Sequence, residues 1–382
     1  MAPNTPDQAT SAFASTPAGY LDSLGGSPML PAAREARRAA EDVAWADPAR
    51  LHHAGRTAGL ILDSARASIS SFLGVRPGEV HLTSSVRAAV EFGLTGLLGA
   101  RPTGAVALSA VESLALFETA ERSGRDVEIV PVDSLGRIRL DCVPAEPQWA
   151  VACLQVANPE VGTRQPVDSL ATLLDPQRIP LLVDATACPA RIPLPAGWTA
   201  LAVSARDWGG PAGVGALVIR QGTTWTPPPG SERGWLGGFP DIASAAAAGI
   251  AAETIEPLWP AEARRAHALI ARIREALVES IEDIDLVGDP DDRLPHVVTF
   301  SALYCSGEAV VTELDRRGIA VASGSACVAD TERPSHVLAA MGALTGGNVR
   351  VSLPFGCTDS TVDQFIREIP DVIRVVRADA GI

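Results

Sequence analysis

The 382-residue chain contains no lysine: its 31 basic residues other than histidine are all arginine, set against 45 aspartates and glutamates, for a formal net charge of −14. No side-chain amine is therefore available to condense with an aldehyde, which excludes catalysis through a Schiff base on a side chain. A genome rich in Ala, Arg and Gly codons accounts for arginine in place of lysine on the surface. It does not account for a position where the chemistry needs an amine. The acidic balance repels phosphate backbones and anionic lipid, so nucleic acid and membrane are not expected partners, whereas a basic protein surface is. The longest run of small residues, Ala243 to Ala252, is too short to span a bilayer, and Met1 to Thr16 is a polar stretch, read as a flexible tail, without an apolar signal core. These absences suggest a cytoplasmic protein. Cys-x-x-Cys pairs are missing too: the six cysteines (142, 153, 188, 305, 327 and 357) lie far apart, which argues against a disulfide framework or zinc knuckle and for reduced thiols, most of them core filler.

What is present is an apolar content of 47%, enough for a large core. Helical stretches alternate with short apolar runs, the pattern of a mostly parallel sheet wrapped by helices. Helices are expected at Pro31 to Val43, Arg56 to Leu73 (stopped by Gly74), Ala115 to Arg122 and Val167 to Leu174. Strands are expected at Glu79 to Leu82, Ala105 to Ser109, Ala150 to Leu154, Pro180 to Val183, Ala200 to Val203 and Gly215 to Ile219. Gln221 to Arg233, with Pro227, Pro228 and Pro229 in succession, reads as a loop, and an amphipathic segment from Trp259 to Ile284 leads to a small α+β unit. The expected division is a tail over 1–16, a large domain over 17–255 and a small domain over 256–382.

Several ordered motifs carry a resemblance. They are Tyr20-Leu21-Asp22; His53-Ala54-Gly55-Arg56 with Ala65-Arg66; the segment Leu154 to Gln165; Val183-Asp184-Ala185; Ser204-Ala205-Arg206-Asp207-Trp208-Gly209-Gly210-Pro211; and Ser323-Gly324-Ser325-Ala326-Cys327 followed by Ser335-His336-Val337-Leu338. In that order and at those spacings, from about Gly19 to Val376, the chain resembles the cysteine desulfurases of the class V aminotransferase superfamily. The resemblance implies a PLP-transferase-like α/β fold of type I, with a seven-stranded large domain and a small C-terminal domain that carries a cysteine loop. It also implies a subunit-interface active site holding pyridoxal phosphate (PLP) on a lysine.

Against that pattern the cofactor positions depart. Asp207 stands where the resemblance places the Schiff-base lysine, Arg206 where it places a histidine, Ser113 at the ring-stacking histidine and Ala187 at the phenolate-binding glutamine. In the phosphate cup, Arg87 replaces a threonine and Phe239 the threonine that reaches across the dimer, while Ser204 persists. A unit charge about 4 Å from another at an effective dielectric near 20 is worth roughly 4 kcal/mol, so a buried Asp207 opposes a phosphate dianion. Arg87 and Arg206 are expected to pair with Asp207 or Asp184 and fill the cup; the rival reading has them bind a different anion.

Cys327 stands at the family's sulfur-carrying cysteine and Arg350 at its substrate-carboxylate arginine, against plainer readings as a buried thiol and a buried ion pair. Asn158 and Asp184 also persist, and for both the structural reading is favoured. His52, His53 and His336 form no metal spacing, so no metal site is expected, although Cys327 could share in iron–sulfur ligation if a partner supplied the other ligands. The leading expectation is a desulfurase-like protein without the PLP lysine that relays sulfur through Cys327. It would act as a homodimer, or as a heterodimer with an active desulfurase, and dock on a sulfur acceptor or scaffold. The alternatives are an enzyme using noncovalent PLP or pyridoxamine phosphate with Asp207 as general base, and a structural relic.

Overall fold

A computed structural model describes residues 12–13, 16–323 and 334–381; Cys327 lies outside the described residues. The first helices show why the chain breaks where it does. Helix α1 (Pro31–Val43) begins on a proline whose missing N–H costs nothing in the first turn. In α2 (His53–Leu73) His52 Nδ1 accepts the Gly55 amide at 3.2 Å, and Gly74 ends the helix at φ 68°, a left-handed conformation that glycine adopts without strain.

The next elements are β1 (Val80–Thr83), α3 (Val86–Gly99), β2 (Ala105–Ser109), α4 (Leu114–Arg122), β3 (Val127–Val130), β4 (Trp149–Gln155), α5 (Val167–Leu174), β5 (Leu181–Asp184), β6 (Ala200–Ser204) and β7 (Gly215–Ile219). The seven strands form one sheet in the order β1-β7-β6-β5-β4-β2-β3, parallel except that β7 runs against both its neighbours. Strands β2, β4, β5, β6 and β7 are buried along their whole length, as expected for a sheet with helices on both faces. One face carries the largest core cluster, which includes Leu62, Leu154, Val183 and Trp208; the other carries Leu94, Leu108, Leu182 and Leu217. Helix α6 (Ile242–Ile255) is alanine-rich and packs on α1 and α2. A methyl added at its Gly249 would lie 3.0 Å from Ala65 Cα, so small residues set how closely these helices approach.

Helix α7 (Trp259–Ser280) leads to a second sheet of β8 (Ile284–Val287), β9 (Val297–Ala302) and β10 (Asn348–Ser352), antiparallel in the order β10-β9-β8. Helices α8 (Gly307–Arg316), α9 (His336–Met341) and α10 (Asp359–Asp379) complete this part. Its core includes Leu21, because Tyr20 and Asp22 form bridges to Ala320 and Ser352; the start of the chain is thus tied to the C-terminal sheet.

The fold is the expected α/β architecture with a mostly parallel seven-stranded sheet and a small antiparallel one. One local expectation is refined. The amphipathic segment expected over Trp259 to Ile284 is helical to Ser280, where Ile281 turns to extended backbone and the chain enters β8. Ser85 caps α3 by accepting the Ala88 amide at 3.1 Å. Among the described residues no helix is long and apolar enough to cross a membrane.

Candidate functional site

In an open sheet of this kind the loops that leave the C-terminal ends of the parallel strands converge on one edge. Here those loops are Ala110 to Ser113 after β2, Val156 to Gln165 after β4, Ala185 to Ala190 after β5 and the short 3-10 turn Ala205–Trp208 after β6. Together they bring three carboxyl groups to that edge.

Glu112 is only 1% exposed. Its Oε1 accepts the Gln155 amide at 2.6 Å, while its Oε2 is buried with no hydrogen-bond partner. Burial, and then the neighbouring Asp184, push its pKa up to about 8, so at neutral pH it is mostly protonated. Asp184, at the end of β5, accepts the Thr186 amide at 2.9 Å and the Thr186 hydroxyl at 2.6 Å through Oδ1, and burial raises its pKa. Ser113 Oγ is buried beside Asp184 without a fully formed hydrogen bond. Asp207 Oδ2 accepts the Ala187 amide at 2.9 Å. Burial raises its pKa to about 6, against the opposing pull of that amide and of Arg206. Ala187 holds φ 66°, a left-handed conformation that costs an alanine roughly 1 kcal/mol and that accompanies the turn of its N–H toward Asp207.

Asn158 uses both ends of its amide: Nδ2 donates one N–H to Val111 O at 3.1 Å, and Oδ1 accepts the Glu160 and Val161 amides at 2.8 and 3.0 Å. It thereby clamps the β2 and β4 loops together and keeps one N–H. Ser204 is buried at the end of β6, paired in register with Gly215. His336 Nε2 lies 2.9 Å from Glu112 O, which ties the start of α9 to the same loop.

The expected filling of the cup by arginine is not what the structure holds. Arg87 pairs with Glu118 and is half-exposed, because its place in the first turn of α3 directs it to α4 rather than toward Asp184. Arg206 donates to Gly25 O at 3.5 Å and acts on Asp207 only through the longer-range field. Phe239 is exposed at 64%, on the loop before α6.

Across the loop from Val156 to Gln165 lies a basic counterpart that the sequence only partly revealed. Arg350 on β10 pairs with Asp22 at 3.3 Å, and its Nε is buried without a partner. Glu160 sits close enough to feel Arg350, yet burial lifts its pKa to about 7, and its Oε1 is unpartnered. Arg191 is almost fully buried, stacks 3.7 Å over the Phe355 ring and donates to Leu353 O at 3.1 Å. Burial drops its pKa to about 10 in spite of Glu262 and Asp207. Burial, then Arg191 and Arg350, hold His296 well below its usual pKa, as a neutral imidazole.

Sequence reading singled out neither Glu112, Glu160 nor Arg191. Glu160 lies within the quoted segment Leu154 to Gln165, and Glu112 stands beside Ser113 just past the end of β2, so the available signal for both was an acid soon after an apolar strand. Arg191 carried none in a chain with 31 basic residues. The five described cysteines are free thiols, and no group of three or more His, Cys, Asp or Glu among the described residues is placed to hold a metal ion.

Comparison with known proteins gives this site a lineage. Residues 19–365 match the model of the aminotransferase class-V family. The chain is 31% identical to the cysteine desulfurase IscS 1 of Archaeoglobus fulgidus over 353 residues, 87% of this chain and 91% of that protein. It is 30% identical to an IscS-like cysteine desulfurase of Mycobacterium tuberculosis, over 94% of this chain and 98% of the other. A solved NifS-like protein superposes with a TM-score of 0.85 at 24% identity, covering 94% of this chain and all of that one. An apo cysteine desulfurase of Thermococcus onnurineus superposes at 0.84 with 19% identity over 98% and 99% of the two chains; both superpositions speak for the fold alone. The chain belongs to the aminotransferase class-V family, within its cysteine desulfurase group.

That family works with PLP. The residues of this edge do not fit it in the usual manner: no lysine exists to hold the aldehyde. Asp207 spends one carboxylate oxygen on the Ala187 amide, Asn158 is engaged on backbone groups, and Arg87 at the cup position is turned to Glu118.

Proposed function

We propose that this chain is a desulfurase relative that no longer runs PLP chemistry and instead relays sulfur through Cys327 while docked on a partner. The observation that carries the reading is the replacement of amine by acid: there is no lysine in the chain, and a carboxylate pushed up to a pKa of about 6 stands at the position that resembles the Schiff-base site. In the relay the Cys327 thiolate attacks the terminal sulfur of a donor's persulfide, and the donor thiolate leaves. An acceptor thiolate later takes the sulfur from Cys327 and restores its thiol, so sulfur moves without net oxidation. The partner is an active desulfurase, a second copy of this chain, or a scaffold or sulfur acceptor. The setting is the cytoplasm, and the units divide near residue 255, with the Cys327 segment on the smaller one.

The test uses the full-length protein. Mixed with PLP it gives no cofactor absorption band and yields no alanine from cysteine, whereas incubation with an active desulfurase and cysteine leaves a persulfide on Cys327 that Cys327→Ser abolishes. Absence of that label in the intact mixture refutes the relay.

One observation favours a second reading. A buried carboxyl with a pKa near 6, such as Asp207, is poised as a general base, which would suit noncovalently held PLP or pyridoxamine phosphate. Alanine formation on PLP addition, lost in Asp207→Asn, would establish it.

A further inference from the structure

The parallel sheet has a second end. Where β5 and β6 begin, opposite the strand-end loops described above, a cavity of about 570 Å³ lies between the last turn of α3, helix α5 and the Thr223-Thr224 stretch that follows β7. That is the size of a small-molecule pocket.

One wall of the cavity, Ala196 to Thr199, is braced by side chains spent on the wall itself. Asp168 Oδ1 accepts the Ala196 and Gly197 amides at 3.0 and 2.6 Å. Arg220 donates to Trp198 O and Ala196 O at 2.9 and 2.7 Å, and its guanidinium lies 4.2 Å from the centre of the Trp198 ring. A methyl added at Gly197 would meet Ala171 Cβ at 2.7 Å, so the wall packs directly on α5. A frame tied in this way keeps its shape, which lowers the cost of ordering a ligand.

Two other cations line the cavity and are not spent so. Among the described residues neither Arg101 nor Arg178 makes an ion pair, although Asp175 lines the same cavity. Arg101 gives Nη2 to Arg178 O and keeps the rest of its fork; the Arg178 guanidinium has no hydrogen bond among the described residues. Arg178 also holds φ 53°, a left-handed conformation that strains a residue with a Cβ. Beside the two guanidinium groups, the buried side chains of Leu97, Ile179 and Leu181 supply apolar lining. Guanidinium groups take carboxylate and phosphate oxygens in two-point contacts, and apolar lining takes a carbon body.

We propose that this cavity binds a small organic anion, with its carboxylate or phosphate on Arg101 and Arg178 and its carbon body against Leu97, Ile179 and Trp198. The site lies at the other end of the sheet from the Asp207 loop and does not depend on the relay reading.

Three probes built on one ring test it: benzoate, phenyl phosphate and neutral phenol. In calorimetric titration of the full-length protein at neutral pH and low salt, at least one anion is expected to bind below about 1 mM and phenol at least about tenfold more weakly. The tighter anion tells a carboxylate ligand from a phosphate ester, and added salt should weaken it. Arg178→Asn should weaken that anion about tenfold while the melting transition stays or rises, because asparagine adopts the left-handed conformation more readily. Arg101→Gln should weaken it to a similar degree, and Arg178→Asn keeps the test valid if Arg101→Gln fails to fold. The proposal falls if neither anion binds at about 1 mM, if phenol binds as tightly, or if Arg178→Asn leaves the affinity unchanged.

Discussion

The two sides of the site differ in sign. On the strand-end side Glu112, Asp184 and Asp207 gather acid, and on the β10 side Arg350, Arg191 and a neutral His296 gather base. Burial raises the three acids and lowers Arg191 and His296, so in each of these five it favours the uncharged form rather than setting one side's charge against the other's. The loop from Val156 to Gln165 separates them: its Asn158 is bound to the acid side through Val111 O, and its Glu160 responds to Arg350.

The largest effect that could break the comparison comes from the scaffold. Trp208 follows Asp207, is fully buried, donates from Nε1 to Ala248 O at 3.0 Å and lies 5.5 Å from the Phe72 ring. Trp208→Ala should destabilise the protein by about 3–5 kcal/mol in denaturant titration through lost packing. Asp207→Asn should cost far less, because an amide oxygen can still accept the Ala187 N–H. If the two changes cost the same, Asp207 belongs to the scaffold and not to the site.

The next effect is a pH dependence. A pKa of about 8 for Glu112 in the fold, against 4.5 ordinarily, means that the folded state binds the extra proton between those values. Stability from this group is therefore lost as pH rises from about 4.5 to 8. Glu112→Gln cannot ionise, so it should flatten that decline and leave the variant more stable than the parent near pH 8, by an amount on the order of a few kcal/mol. Melting curves at pH 5 and pH 8 decide it. An unchanged slope would mean that the acid side is not the strained half.

How much of this was legible in the sequence follows from the kind of signal each feature carries. Helices α1 and α5 and strands β2 and β7 fall where periodicity and composition placed them, because a proline start or a run of apolar residues marks such elements directly. Strand β3 was missed: its Glu128 and Ile129 are exposed at the edge of the sheet, so no apolar run announces it. Helix α6 was missed because alanine on every face leaves no amphipathic stripe. In the site, Asp207 and Asp184 were visible as departures from, or matches to, a motif. The side-chain directions of Arg87 and Arg206 were not, since nothing in a linear sequence says that Glu118 or Gly25 O lies nearer than Asp184.

On the basic side a smaller effect is expected. Arg350 and Asp22 are both mostly buried and 3.3 Å apart. Removing Arg350 alone leaves two acids, Asp22 and Glu160, without their cation, and should cost about 1–3 kcal/mol. The double variant Arg350→Ala with Asp22→Ala should recover part of that, giving a coupling energy of about 1 kcal/mol in a double-mutant cycle. Zero coupling would mean that Arg350 is held for a ligand rather than by the pair.

The smallest effect is the most pointed. Arg87 was the residue best placed by sequence to supply a phosphate cup with charge, and the structure sets it against Glu118 with both side chains about half in solvent. An exposed pair of this kind is worth about 0.2–1 kcal/mol at most, so Arg87→Ala should leave the melting temperature almost unchanged. Calorimetric titration with pyridoxamine 5′-phosphate should likewise not distinguish Arg87→Ala from the parent, because the guanidinium is engaged on α4 rather than at the acid edge. Weaker binding of that phosphate ester by Arg87→Ala would mean that Arg87 swings into the cup when an anion arrives. The acid side would then gain a cation on demand, and the contrast between the two sides of the site would describe only the protein without a ligand.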